Sequence, residues 1–302
     1  MDRQISYTVK LTRAAHALAK ELEEGEKTVL RDYQLFFLLK EIYKHPEGLY
    51  LRDKKPSVAT YRRTRNLLIK AQIIKRDQNY PNTYRVLSLP DLPADEITCL
   101  VDPFCYISHL SAMQRYGLTD RRPEALHITT PSSPLIKTLI QKKMEKDYGV
   151  PLTEINHDEF LRLTITHHPH NVRKRKIENY STKNWGEHIP IKGTHARIST
   201  IGQTFLDMLE EPKLCGGMSH IIDIWKEYAQ DYIQDIIASI NDAQKPIYKV
   251  RAGYILDEIM GIKKPEIMEW KKYAQRGGSR ILDPSKPFIN NYSEKWMISI
   301  NV

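Results

Sequence analysis

The sequence lacks the features of several classes of protein. It has 3 cysteines, at Cys99, Cys105 and Cys215, and they form no Cys-x-x-Cys pair. Neither a disulfide framework nor a zinc ribbon is therefore expected. The chain also has no apolar run of about 18 residues and no apolar segment after its first residues. These absences predict no membrane span and no secretory signal, and they favour a cytoplasmic protein.

Positive charge is concentrated near the beginning of the chain. Among all 302 residues there are 46 Lys and Arg against 37 Asp and Glu, a net charge of +9. Residues 1–92 hold 18 of these cations and 11 of these acids, which leaves a net charge of only +2 on the rest. A basic region beside a nearly neutral one is typical of a domain that contacts a polyanion. A solvated basic face is the alternative interpretation of the same composition.

A proline-containing segment, Leu87–Pro93, predicts a boundary between two domains, residues 1–92 and residues 94–302. The length of the chain also favours two domains. Before this segment, apolar periodicity and capping residues predict three helices and then two strands. The helices are Thr12–Glu24, Arg31–Lys44 and Ser57–Ala71, and the strands are Ile73–Arg76 and Thr83–Leu87. This order is that of a winged helix-turn-helix domain.

The remainder of the chain mixes helices and strands. Predicted helices are Ser108–Tyr116, Pro134–Tyr148, Thr200–Leu209, Ser219–Ile240 and Tyr248–Met260. Predicted strands are Ala125–Thr129, Phe160–Thr166, His195–Ser199 and Trp296–Ile300. The predicted fold class is therefore α+β, with an N-terminal winged helix-turn-helix domain followed by a larger mixed α/β domain.

The third predicted helix has two chemically different faces. At 100° per residue, one face gathers Tyr61, Thr64, Leu68 and Ala71. The opposite face gathers Ala59, Arg62, Arg63, Asn66 and Lys70 within about two-fifths of the circumference. The first face can pack on the other helices. The second face carries the small, cationic and amide groups that suit the major groove of DNA.

Each of these groups has a recognised partner on duplex DNA. Arginine can donate two hydrogen bonds to guanine, asparagine can pair with adenine, and lysine neutralises phosphate. Ser57 and the free N–H groups at the helix start can hold a phosphate, and the hairpin cations can reach the backbone or the minor groove. The predicted DNA-binding residues are Ser57, Ala59, Arg62, Arg63, Asn66, Lys70, Lys75, Arg76 and Arg85. A winged helix used for protein contacts is the alternative.

No other cluster predicts chemistry strongly. Gly277-Gly278-Ser279 resembles the start of a nucleotidyltransferase site, but only Asp283 follows it nearby, and two metal-binding carboxylates are required there. The histidines of 167–170 have no common metal geometry, and Arg173-Lys174-Arg175-Lys176 is interpreted with them as an exposed basic loop or a solvated turn. Asp207 is interpreted as a cap or a buried ion-pair partner. We therefore predict no catalytic residue, metal or cofactor, and no enzyme.

Two segments of the second predicted domain resemble the AbiEi family of bacterial antitoxins. Tyr106–Thr119 resembles the family stretch YISxxSALxxxGLT, and His127–Thr130 is similar to the strand that follows it. Ile198–Leu209 and Glu211–Gly217 resemble the block ERTLLDxLxxPxxxGG, with Gly202-Gln203 in place of Glu-Arg. The resemblance covers about residues 100–225.

The resemblance implies a two-part protein of a type IV toxin–antitoxin, or abortive infection, system that acts in phage defence. Its winged helix would bind inverted repeats in its own promoter, associated with the nucleoid and with or without forming an oligomer on the DNA, and repress its operon. Its second domain would counteract a nucleotidyltransferase-type toxin, with or without binding it. The alternatives are a winged-helix regulator without a toxin, such as one that senses a ligand, and a DNA-targeted enzyme with a C-terminal active site.

Overall fold

The computed structural model describes residues 9–45, 54–275 and 280–302. The chain divides into two compact units. The first contains residues 1–104 and 132–175, and the second contains residues 105–131 and 176–302. The bounds of these units differ from the predicted domains 1–92 and 94–302. Separate functions for the two predicted domains stay a prediction.

The beginning of the first unit contains three helices and three short strands. Helices α1 (Arg13–Glu24), α2 (Asp32–Lys44) and α3 (Val58–Lys70) start within one residue of the predicted positions. Thr12 caps α1 and Ser57 caps α3, because each side chain accepts a hydrogen bond from the third backbone N–H after it. Strands β1 (Val29–Arg31), β2 (Ile74–Arg76) and β3 (Thr83–Val86) form an antiparallel sheet in the order β1-β3-β2. Strand β1 was not predicted.

The apolar faces of these elements form one core. Helices α1 and α2 meet through side chains that are at most 2% exposed: Leu18, Leu22, Leu35, Phe36 and Leu39. Tyr61 and Leu68 of α3 and Tyr84 and Val86 of β3 complete this core. Burial of such side chains stabilises the fold by roughly 1.5–3 kcal/mol each. The position of α3 is therefore determined by the core, which leaves its other face to solvent.

The first unit continues beyond the predicted linker. Helix α4 (Ala94–Val101) follows Pro93 directly and contacts β1. Helix α6 (Ser133–Tyr148), the 3₁₀ turns Leu152–Glu154 and His157–Glu159, and strand β6 (Asn171–Val172) also belong to this unit. The prolines of 87–93 therefore mark a turn in the chain, and compact structure of the same unit resumes after them.

The predicted strand Phe160–Thr166 is wrong, because this segment pairs with no strand among the described residues. Side chains supply hydrogen bonds along it instead. The Tyr148 hydroxyl accepts a hydrogen bond from Leu161 N at 2.8 Å and donates one to Leu161 O at 2.9 Å, and Leu163 N donates to Met144 Sδ at 3.2 Å. The alternating apolar pattern thus reflects an extended segment that packs on α6.

The second unit is built on a mixed sheet. Its strands β4 (Tyr106–Ile107), β5 (Leu126–Pro131), β7 (Arg175–Thr182), β8 (His188–Pro190) and β9 (Arg197–Ser199) lie in the order β7-β5-β4-β9-β8. The β4–β5 and β8–β9 pairs are antiparallel, whereas β4–β9 and β5–β7 are parallel. Helix α5 (His109–Arg115) follows β4 directly. The structure therefore confirms the mixed α and β composition of the prediction.

Helices complete the second unit around an apolar core. They are α7 (Ile201–Glu210), α8 (Met218–Tyr228), α9 (Ile233–Asp242), α10 (Pro246–Gly253), which continues as the π-helical segment Tyr254–Ile259, and α11 (Pro265–Glu269). This unit also contains two 3₁₀ turns, Pro212–Cys215 and Trp270–Tyr273. A small antiparallel sheet is formed by β10 (Tyr292–Ser293) and β11 (Ile298–Ser299). No helix in the described ranges is sufficiently long and apolar to cross a membrane.

The predicted single helix Ser219–Ile240 is wrong, because the chain turns at residues 229–232 between α8 and α9. One straight helix of this length would span about 33 Å. The turn lets α9 pack directly on α7. At this contact, a β-carbon on Gly202 of α7 would lie 2.3 Å from the carbonyl oxygen of Asp235 in α9, so only glycine allows this approach.

Candidate nucleic-acid interface

Helix α3 presents the two faces that the sequence predicts. Tyr61, Thr64 and Leu68 are at most 3% exposed and point into the first unit. The residues at the predicted outer positions are all exposed: Ala59, Arg62, Arg63, Asn66 and Lys70. The structure therefore brings these five predicted residues together on one solvent-facing surface.

Asp32, the first residue of α2, holds α3 in place through side-chain contacts with Tyr61 and Arg65. Its Oδ1 accepts hydrogen bonds from the Tyr61 hydroxyl and from Arg65 Nη1, the latter at 2.8 Å. Burial, together with the charge of Asp32, raises the pKa of Tyr61. Burial acts to lower the pKa of Arg65, but its hydrogen bond and charge interaction with Asp32 outweigh this effect and raise it. Asp32 thus joins α2 to α3 through a hydrogen bond from Tyr61 and an ion pair with Arg65.

The Arg65 guanidinium also orients Asn66. Its Nε and Nη2 donate to Asn66 Oδ1 at 3.4 and 3.2 Å. It lies over the Tyr61 and Tyr84 rings as well, with its central carbon 5.7 and 5.5 Å from their centroids. Arg65 is thus a positioning residue. Its spacing of four residues from Tyr61 was the only signal in the sequence for such a role.

The β2–β3 hairpin carries two kinds of cation. Lys75 and Arg76 are exposed. Arg85 has a side chain only 23% exposed, and its Nη1 lies 3.4 Å from Asp91 Oδ2. Ser57, at the start of α3, is half-buried, and its Oγ accepts from Thr60 N at 3.1 Å. Binding of DNA by these four predicted residues stays a prediction, although Lys75 and Arg76 have the freer side chains.

Arg173 holds the turn of this hairpin, and its interpretation as part of an exposed loop is wrong. Its side chain is 10% exposed. Its guanidinium donates to Asp77 Oδ2 at 2.6 Å, to Asn79 Oδ1 at 2.5 Å and to Asp91 Oδ1 at 3.0 Å. Two carboxylates outweigh the effect of burial and raise its pKa. Of the four cations at 173–176, Lys174, Arg175 and Lys176 are exposed.

The histidine-containing segment 167–170 is also partly internal. The His168 side chain is 2% exposed, with Nε2 2.9 Å from Asp102 Oδ2 and Nδ1 3.0 Å from the Tyr80 hydroxyl. Tyr80 lies at the end of the turn that Asp77 closes, because Asp77 Oδ1 accepts from Tyr80 N at 3.1 Å. The structure thus connects this segment to the hairpin, while His167 and His170 face solvent.

In the second unit, Asp207 of α7 is buried, but its hydrogen-bond partner is an amide. Gln203 Nε2 donates to Asp207 Oδ1 at 2.7 Å, and Asp207 Oδ2 has no hydrogen-bond partner among the described residues. Burial raises the pKa of Asp207 to about 8 despite the Gln203 hydrogen bond. The side chain is therefore mostly protonated at neutral pH.

Neutral polar groups surround the β4–α5 junction of this unit. Ser108 Oγ accepts from Thr129 Oγ1 at 2.8 Å and lies 2.7 Å from His109 Nδ1. Burial lowers the pKa of His109 to about 3, so its imidazole is uncharged at neutral pH. These groups form a buried hydrogen-bonded network within the sheet. The Gly277-Gly278-Ser279 motif lies outside the described residues.

No family model matches the chain, and no curated protein matches it. Among solved structures, the chain is similar to that of the RV2827C protein from Mycobacterium tuberculosis. The two sequences are 10% identical, and the match covers 98% of this chain and 94% of that chain with a TM-score of 0.45.

Proposed function

We propose that this protein binds duplex DNA sequence-specifically through the exposed face of α3 and the β2–β3 hairpin. The observation that carries the proposal is that α3 has a buried face and a separate, cationic solvent face. Its buried face is fixed in the core, and its solvent face carries Arg62, Arg63, Asn66 and Lys70 without any acidic residue. A solvated helix face usually mixes both signs of charge, because oppositely charged side chains four residues apart stabilise a helix.

The order of elements supports the assignment of a winged helix. Helices and strands follow as α1-β1-α2-α3-β2-β3, and the sheet order β1-β3-β2 places the hairpin beside β1. In this interpretation α3 is the recognition helix and the hairpin is the wing. A recognition helix reads bases in the major groove with a few side chains, while flanking cations contact phosphate.

The roles within this surface follow from side-chain chemistry. We assign base contacts to Arg63 and Asn66, because a guanidinium and a carboxamide can each form paired hydrogen bonds with a base edge. Arg65 Nη2 donates to Asn66 Oδ1 and so limits rotation of the Asn66 amide, which lowers the entropy cost of ordering this side chain on DNA. We assign phosphate contacts to Lys70 and Lys75, which are exposed cations.

The test uses the full chain and a DNA site selected by it from a random library. Arg63→Ala is expected to weaken binding of the selected site by about 1–3 kcal/mol and to relax specificity there, because a bidentate base contact is lost. Lys75→Ala should weaken selected and random DNA alike. Fluorescence anisotropy titrations measure both, and Arg122→Ala, an exposed arginine of the second unit, is the matched control.

Failure to select any site would contradict the proposal. Equal losses on selected and random DNA for Arg63→Ala would contradict the assignment of base readout, and a similar loss for Arg122→Ala would show a nonspecific charge effect.

We further propose that this DNA binding represses the protein's own operon and that the second unit counteracts a nucleotidyltransferase-type toxin. The support is the resemblance of Tyr106–Thr119 and Ile198–Gly217 to AbiEi antitoxins. The two segments form neighbouring pieces of one unit: Ile107 of β4 pairs with Ile198 of β9, and α5 packs on α7. Gln203, which replaces the family arginine, donates to Asp207.

The two activities should be separable in the full chain. Arg62→Ala combined with Arg63→Ala should abolish repression of the operon promoter but preserve rescue of cells that express the toxin encoded beside this gene. Both proteins are expressed from an unrelated promoter, so that repression cannot alter survival. Loss of rescue in a variant whose circular dichroism and unfolding match the wild type would overturn the separation.

A further inference from the structure

The first unit contains a cavity of about 720 Å³ whose lining includes none of the nine predicted DNA-binding residues. Its apolar wall comes from α6 and the extended segment after it, through Ile140, Met144 and Leu163. These three side chains are at most 7% exposed. A concave site of this size with an apolar wall is typical of sites for small organic molecules.

The charged groups that line this cavity are cations. Among the described residues they are Arg31, Lys137 and Arg162, and no carboxylate lines it. Lys137 and Arg162 are exposed at its rim, and neither forms an ion pair within 4.0 Å in the described part of the chain. Like charges placed around an empty space repel each other, so an anion that entered it would relieve this repulsion.

Arg31 supplies the buried part of this charge. Its residue is only 9% exposed, and its two terminal nitrogens donate to neutral hydroxyls, Thr166 Oγ1 at 2.9 Å and Thr164 Oγ1 at 2.8 Å. Burial lowers its pKa, although the charges of Asp102 and Asp32 act in the opposite direction. Holding a guanidinium at this depth without a hydrogen-bonded carboxylate is costly, and a bound anion would offset that cost.

We propose that this cavity binds a small phosphorylated organic molecule. The phosphate group would lie among Arg31, Lys137 and Arg162, and the organic part would cover the apolar wall. Three cations without an acid match a phosphate ester better than a monocarboxylate, because the phosphate carries about −1.5 to −2 charges at neutral pH and offers three acceptor oxygens. Thr164, Gln141 and Asn82 add neutral hydrogen-bonding groups to the lining.

The cavity also reaches the elements that position the DNA surface. Pro81 and Asn82 of the β2–β3 turn line it, and Arg31 directly precedes Asp32, the anchor of Tyr61 and Arg65. A ligand there would therefore alter the affinity for DNA if it binds the DNA-bound and the DNA-free arrangement of these elements with different affinities. This consequence rests on the proposed function, whereas the binding site itself does not.

Isothermal titration calorimetry on the full chain, without DNA, tests the site with phenyl phosphate. We expect one site that binds phenyl phosphate at least about tenfold more tightly than phenol, benzoate or inorganic phosphate, a difference of about 1.4 kcal/mol. Lys137→Gln combined with Arg162→Gln should weaken it about tenfold or more. Lys142→Gln with Lys146→Gln is the matched control, because both lysines are exposed on α6 and do not line the cavity.

Several results would overturn the site. Binding of phenol as tight as that of phenyl phosphate would remove the role of charge, and equal binding of benzoate would remove the preference for phosphate. Equally tight binding of inorganic phosphate would show that the apolar wall contributes nothing to binding. Phenyl phosphate binding that is undetectable, or that survives the Lys137 and Arg162 changes, would place the site elsewhere or nowhere.

A separate titration tests the link to DNA. Saturating phenyl phosphate should change the dissociation constant for the selected DNA by about threefold or more in the wild type and leave it unchanged in the Lys137 and Arg162 variant. An unchanged constant in the wild type would overturn the link, and the calorimetric result without DNA would still decide the site.

Discussion

The cations of the first unit and the carboxyl groups of α7 in the second unit lie in different environments. The first unit exposes cations on α3 and lines a cavity with cations, and it ties Arg173, whose side chain is 10% exposed, to two carboxylates. The second unit buries a carboxyl group, Asp207, against an amide. Its α7 also holds Glu210, whose pKa is raised to about 7 by burial even though Lys245 acts to lower it.

This difference separates two uses of charge. Exposed cations that the fold does not need are available for an external anion, and their removal costs little stability. Buried charges belong to the fold, and they make its stability depend on pH or on the presence of a partner. The comparison therefore predicts which substitutions change stability and which change binding.

The largest expected effect is on stability, from Arg173→Ala. This change leaves Asp77, whose side chain is 1% exposed, without its cation and releases Asn79 and Asp91. Breaking a buried pair from one side typically costs about 3–5 kcal/mol, and the pair here is partly exposed on the Arg173 side, so we expect the lower end of this range. Urea unfolding measures the loss.

Arg63→Ala is the control for this prediction, because Arg63 is exposed and should change the unfolding free energy by no more than about 0.5 kcal/mol. Equal stability of the two variants would remove the distinction between an internal and an external arginine in the first unit.

The next effect is a pH dependence in the second unit, from Asp207→Asn. With a pKa raised to about 8, the folded protein keeps a proton on Asp207 that the unfolded chain releases above its ordinary pKa of 3.8. The unfolding free energy of the wild type should therefore fall as pH rises from about 4 to about 8, by up to about 1.4 kcal/mol per pH unit from this group. The asparagine variant lacks this term, so its stability relative to the wild type should increase with pH.

Urea unfolding at pH 5, 6.5 and 8 measures this difference. Asp223→Asn in α8, an exposed carboxylate of the same unit, is the control and should show no such trend. A difference between Asp207→Asn and the wild type that stays constant over this range would show that the Asp207 carboxyl is not held neutral by burial.

The sequence predicts the local structure of the first unit well because its helices carry their own signals. Thr12 and Ser57 cap α1 and α3, and the apolar spacing of α3 separates Tyr61 and Leu68 from Arg62 and Asn66. These signals depend on residues within one or two turns. The exposed face of the candidate DNA surface could therefore be read from periodicity alone.

Features that depend on distant partners were missed or misassigned. Strand β1 has only three residues and pairs with β3 more than fifty residues later, as in Val29↔Arg85. Arg173 stands in a run of basic residues, yet its partners Asp77 and Asp91 lie more than eighty residues earlier. A local charge count treats all four cations of 173–176 alike, because it contains no information about which of them meets a carboxylate in the fold.

The smallest expected effect concerns the two kinds of cation in the hairpin. Log K for DNA should fall with log salt concentration, with a slope of about −0.9 for each phosphate that the protein neutralises. Arg76 is exposed, so Arg76→Ala should reduce the magnitude of this slope by about 0.9. Arg85 lies 3.4 Å from Asp91 and shares its charge with that carboxylate, so Arg85→Ala should reduce the slope by less. Anisotropy titrations of the selected DNA between about 50 and 200 mM salt measure both slopes. If Arg85→Ala reduces the slope as much as Arg76→Ala does, DNA displaces Asp91 from Arg85. The distinction between internal and external cations would then not hold for the β2–β3 hairpin.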